Sequence, residues 1–135
     1  MTKNFEIMEV GLRDGLQIIK KDISIDYKLS IIESLIESGI RNIQVTSFVN
    51  PKRVPSMADA EELVKLLPIV KGVQFSGLVF NQIGVERAIR AGLTKVETSI
   101  SISETYSYNN LGMSISESID NLKKIVSTSD KNKMQ

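Results

Sequence analysis

The chain has 135 residues with no cysteine, histidine or tryptophan, and its 17 Lys+Arg against 16 Asp+Glu give a formal net charge of +1. Those zeros exclude a disulfide framework, a zinc ribbon, a thiol nucleophile, and both the commonest metal ligand and the commonest near-neutral acid/base, so chemistry falls to carboxylates, Lys, Arg, Tyr, Ser, Thr and amides. A near-neutral balance without a long basic block argues against nucleic acid as a partner. The start MTKNFEIMEV lacks a basic-then-apolar leader, and no apolar run approaches the ~18 to 20 residues that cross a bilayer. The expectation is a cytoplasmic protein with no membrane partner, of about one domain.

Apolar periodicity predicts four strand-then-helix units. The first is a strand over Phe5 to Val10, a polar turn, and a helix with Leu29, Ile32, Leu35 and Ile36 on one face, since positions three and four apart share a face. Ser24 is its expected N-cap and Gly39 its left-handed C-terminal residue. The second has a strand over Asn42 to Thr46, a loop holding Pro51 and Pro55, and a helix from Ala58 to Leu67 stopped by Pro68. The third runs Val73 to Val79, turns at Asn81, and continues as a helix to Ala91 with Gly92 closing it. The fourth is a strand over Lys95 to Ile102, a loop of about ten residues, and a helix opened by Ser114 and Glu117 at capping-box spacing. Ile115, Ile119, Leu122 and Ile125 or Val126 form its expected buried face. The polar stretch beyond, 128–135, reads as a frayed tail after a unit over 1–127.

Strands alternating with helices imply βαβ crossovers, hence a parallel sheet and an α/β fold. Gly11-Leu-Arg-Asp-Gly15 has neither the G-x-G-x-x-G spacing nor a P-loop lysine, which weakens a nucleotide-binding reading. Long, chemically rich segments follow the strands and short ones lead into them, the asymmetry of a (β/α) barrel that works at its C-terminal face. Four units make half of an eight-stranded TIM-barrel type.

Arg13 and Asp14 follow the first strand directly. A carboxylate there can hold a divalent cation and a guanidinium can neutralise a nearby oxyanion; taken alone, an Asp-Gly turn with a surface Arg is the simpler reading. Ser47, Asn50 and Lys52 on the second loop suit a polar substrate or its phosphates, and serve a rigid Ser-x-Asn-Pro turn equally well. Tyr106, Tyr108 and Asn109 read as packing over the barrel mouth.

The run EVGLRDGLQ after the first strand, followed by TSFVNPKRVPSMAD after the second, resembles the 3-hydroxy-3-methylglutaryl-CoA lyase family of metal-dependent TIM-barrel lyases. The likeness continues through GLVFNQIGVERAIRAGLTKVE and SETYSYNNLGMSISESI. It implies retro-Claisen cleavage of an acyl-CoA thioester to acetyl-CoA and a keto acid (acetoacetate). It assigns Asp14 as a ligand to Mg²⁺ or Mn²⁺, Arg13 as the group that neutralises the thioester enolate, Gln17, Ser47 and Asn50 as lining residues, and Lys20 as a supporting basic position. Gln44 stands where the family usually has an acidic residue; glutamine makes hydrogen bonds but takes no proton near neutrality. The family's His-x-His metal ligands and its loop cysteine have no counterpart in a chain without either residue type. The resemblance therefore predicts the N-terminal half of a lyase barrel, inactive by itself. Two alternatives are a related metal-dependent aldolase or acyl-CoA condensing enzyme, and a non-catalytic half-barrel that pairs with a second copy through its open edges.

Overall fold

A computed structural model describes residues 5–135; the first four residues of the expected unit 1–127 lie outside the described residues. Four parallel strands, β1 (Met8–Glu9), β2 (Asn42–Ser47), β3 (Gln74–Leu78) and β4 (Val96–Glu97), form one sheet in the order β1-β2-β3-β4. A doubly wound sheet reverses direction from its first strand, whereas a barrel adds each strand beside the last. The sequential order is that of a partial TIM-type barrel.

The crossover helices are α1 (Ile25–Glu37), α2 (Ala60–Lys65), α3 (Gln82–Ala91) and α5 (Ile115–Lys131), with α4 (Glu104–Leu111) inserted before the last. They pack in chain order, α1 on α2, α2 on α3 and α3 on α5. Between them and the sheet lies the core, built on Ile32, Ile43, Val45, Phe48, Leu63, Val79, Val85 and Ile125. Helix starts follow the sequence closely: the hydroxyls of Ser24, Ser103 and Ser114 accept backbone N–H bonds at α1, α4 and α5, and Ser114 with Glu117 completes a capping box. At the end of α3, Gly92 takes φ +94°, a backbone conformation that an L side chain resists.

Three expectations need correction. The strand over Phe5 to Val10 pairs only at Met8–Glu9, and Phe5 is exposed. The strand over Lys95 to Ile102 is paired only at Val96–Glu97; its β-prone continuation leads into α4 because Ser103 caps a new helix inside what reads as a loop. The stretch 128–135 is no frayed tail: α5 continues to Lys131, Met134 is buried, and Gln135 donates its N–H to the Thr94 carbonyl while its own carbonyl accepts from Val96 N–H. That alternation extends the parallel ladder at the free edge of β4. The polar sequence hides the helix because the buried residues of α5 are Ser118, which meets Ser107 of α4, with Ile125 and Ser129, while Ile119, expected on the buried face, and Val126 are exposed.

Candidate active site

The sheet face opposite the helices is set by register. Gln44 pairs with Ser76, and Leu78 with Glu97; residues two apart on a strand share a face, so Gln44, Ser76, Leu78 and Glu97 lie together. In a regular strand Gln44 and Ser47 would point to opposite faces. A bulge between Gln44 and Thr46 shifts the register so that Ser47 pairs with Leu78 and joins the same face. Gly77, which faces the other way, has no room for a side chain: a Cβ there would sit 2.8 Å from the Phe48 ring and 3.1 Å from Leu93. Thus Phe48 is clamped, and with it the start of the loop after β2.

Directly after β1, Gly11–Gly15 winds into one π-helical turn that carries Arg13 and Asp14 over the strand ends. Such wide turns mark functional positions because they reorient side chains that a regular helix would disperse. Arg13 is gripped on two sides: Nε donates to Gln44 Oε1 at 2.5 Å and Nη1 to Asp14 Oδ1 at 2.6 Å. Gln44 is nearly inaccessible, and its Nε2 donates in turn to Glu97 Oε2. The direction of that chain is forced, since a guanidinium only donates and a carboxylate only accepts.

A cleft of about 1020 Å³ opens above these strand ends, bordered by Arg13, Asp14, Gln17, Asn50, Arg53 and Tyr106 among others. Arg13, Asp14, Gln17 and Asn50 therefore border one cleft. Gln44 stands behind Arg13 rather than in the cleft, and Ser47 is fully buried with its hydroxyl lacking a partner among the described residues. Lys20 is exposed and does not border the cleft. The Asn50 side chain accepts from Lys52 N–H, a turn-stabilising bond. Of the aromatic pair, Tyr106 borders the cleft and Tyr108 does not.

Two ion pairs fix the loop that carries Asn50. Arg87 on α3 grips Glu61 through Nε and Nη2, at 2.6 and 2.9 Å, donates Nη1 to the Val49 carbonyl, and lies over the Phe48 ring. The same guanidinium holds the Glu61 carboxyl below its ordinary value, against a smaller opposing effect of burial. Lys28 of α1, almost wholly buried, donates to both Asp59 oxygens and to the Ser56 carbonyl.

Asp14 is the residue here with the chemistry for a hard cation. Its carboxylate is exposed at the cleft mouth, one oxygen bound to Arg13, and hard cations take oxygen ligands. It fits as one ligand and not as a whole set, because among the described residues no three Asp, Glu, His or Cys side chains cluster to hold a metal.

Glu97 and Arg53 escaped the sequence reading. Glu97 sat inside an apolar run taken as strand; a charged residue at a strand's C-terminal end, in phase with the inward face, was the available signal. Gln44 departs from the acidic residue that the resemblance leads one to expect, and Glu97 brings a carboxylate to that same amide.

Among the described residues no helix is long and apolar enough to cross a membrane. The chain is 39% identical over 115 residues to the hydroxymethylglutaryl-CoA lyase of Pseudomonas mevalonii, covering 85% of this chain and 38% of that protein. Its fold matches the HMG-CoA lyase of Bacillus subtilis with a TM-score of 0.91 at 37% identity, over 96% of this chain and 44% of the other. It also matches an HMG-CoA lyase from Acinetobacter baumannii solved in complex with coenzyme A and 3-methylmalate, with a TM-score of 0.85 at 32% identity, over 90% and 40% of the two chains. The chain thus spans about two fifths of the length of the proteins it matches. With the HMGL-like family model matching residues 4–135, the chain belongs to the HMGL-like family.

Proposed function

We propose that the Arg13 face is the substrate-orienting part of a carbon–carbon lyase site, acting on a 3-hydroxy-3-methylglutaryl-type CoA thioester and yielding acetyl-CoA and acetoacetate. The observation that carries this reading is a guanidinium locked between Gln44 and Asp14 at the mouth of a cleft. In the reaction a tertiary hydroxyl loses its proton, the bond between the carbinol carbon and the thioester α-carbon breaks, the electron pair passes to the thioester as an enolate, and a proton returns to that carbon. Arg13 has Nη2 free of protein partners among the described residues, and a fixed cation aimed where negative charge develops stabilises the transition state without reorganising. Gln17 and Asn50 offer amides to the polar oxygens of the substrate, and Ser47 borders the Gln44 face.

Asp14 would hold Mg²⁺ or Mn²⁺, which when bound supplies Lewis-acid polarisation of the substrate's oxygens. One carboxylate is a small share of the oxygen ligands such a cation takes, so the 135 residues bind the thioester and orient it but do not turn it over. Barrel closure by further βα units would cover two exposed apolar margins, Ile7 and Met8 at β1 and Ile119 and Val126 on α5. Binding of 3-hydroxy-3-methylglutaryl-CoA to the purified chain, and release of acetyl-CoA from it, test both parts. Thioester binding without release is expected. Failure to bind would overturn the site, and release by homogeneous chain would overturn the division of labour.

A further inference from the structure

We propose that Glu97 is a positioning residue for Arg13, acting through Gln44. The two side chains meet across an intervening strand: β2 and β4 both flank β3, a span of roughly 9.6 Å at the usual strand spacing. They can meet because β3 presents only the small Ser76 beside Gln44.

Glu97 is poorly placed for a purely structural role. One oxygen accepts from Gln44; the other is buried with no hydrogen-bond partner among the described residues. The nearest cation, Lys95, stands 3.9 Å from that second oxygen and donates instead to Gln74. A buried carboxylate oxygen left without a hydrogen bond is costly, and what this side chain accomplishes is to fix the Gln44 amide. With its NH₂ drawn to Glu97, Gln44 must turn its carbonyl oxygen to Arg13 Nε. The guanidinium plane is then set by Nε on one side and by Asp14 at Nη1 on the other, leaving Nη2 without a protein partner among the described residues. Without the carboxylate the amide is held in that orientation by Arg13 alone, and any flip would set NH₂ against the guanidinium.

The catalytic meaning of this relay rests on the proposed function, but its geometry can be read without substrate. The probe is the Arg13 Nε–H signal in ¹⁵N NMR spectra of the full chain, with exchange of that proton followed in Glu97→Gln, Glu97→Ala and the exchanged pair Gln44→Glu/Glu97→Gln. Loss of a charge-assisted bond from the relay speeds exchange on the order of tenfold or more in Glu97→Ala, with an intermediate effect in the isosteric Glu97→Gln. The exchanged pair, which puts the carboxylate directly beside Arg13, restores slow exchange. A merely structural Glu97 would lower thermal stability without that selective response or that rescue. Unchanged Arg13 exchange in folded Glu97→Gln, or no restoration in the folded exchanged pair, overturns the relay. An exchange response in the variants, together with a wild-type chain that binds no thioester, refutes the lyase reading and leaves the relay standing.

Discussion

Removing the two partners of the Lys28–Asp59 pair should have unequal consequences. The Lys28 side chain is 4% exposed and Asp59 is 25% exposed, so water can reach the carboxylate but not the ammonium. Asp59→Ala leaves a buried charge with only the Ser56 carbonyl, at 3.2 Å, and stranding a buried charge costs about 3–5 kcal/mol. Asp59 makes no side-chain cap bond to α2, so this loss is not confounded by a lost cap. Lys28→Met keeps the packed stem and leaves a carboxylate that solvent can satisfy, at about 1–2 kcal/mol. For a chain of this size the larger loss lowers Tm by about 11–18 °C. The double variant Lys28→Met/Asp59→Leu recovers most of the loss, because an apolar pair replaces a desolvated one. Urea denaturation of the four proteins measures all three differences. Equal losses in the two single variants, or a double variant below Asp59→Ala, would refute the argument that burial of the ammonium sets the cost.

Gly77→Ala forces a Cβ against Phe48 and Leu93 and should cost about 1–3 kcal/mol, visible in urea denaturation together with a shifted Phe48 ring signal. Ser114→Ala removes half of the α5 capping box, with an expected loss of about 1 kcal/mol in the same assay. Glu61 is held below its ordinary value chiefly by Arg87. A lowered carboxyl contributes stability that is present above its unfolded pKa and fades as pH falls through the folded one. Acid titration of stability should therefore show a limb below the ordinary carboxyl value of 4.5 that flattens in Glu61→Gln.

The helix caps and crossover order were legible because they rest on local rules: Ser24 and Ser114 cap through hydroxyls that accept from the N–H three residues on, and Gly92 through its own left-handed backbone. The convergence of Arg13 and Asp14 with Asn50 was legible as two motifs that each follow a strand. The relay was not, because it depends on Glu97 reaching Gln44 across β3, and a non-local meeting of that kind leaves no periodic trace in the chain. The end of α5 was not legible for the opposite reason: its buried residue there, Ser129, is polar, so 128–135 carries no apolar period.

The placement of the cation-binding group is the central claim most open to a direct measurement. Titrating Mn²⁺ into ¹⁵N-labelled chain broadens signals near wherever the ion sits. Arg13, Asp14 and Gly15 are expected to broaden first, with Gln17 and Gln44 following, and Asp14→Asn to abolish the effect. Broadening spread evenly over exposed carboxylates such as Asp120 and Glu104, or undiminished in Asp14→Asn, would contradict that placement.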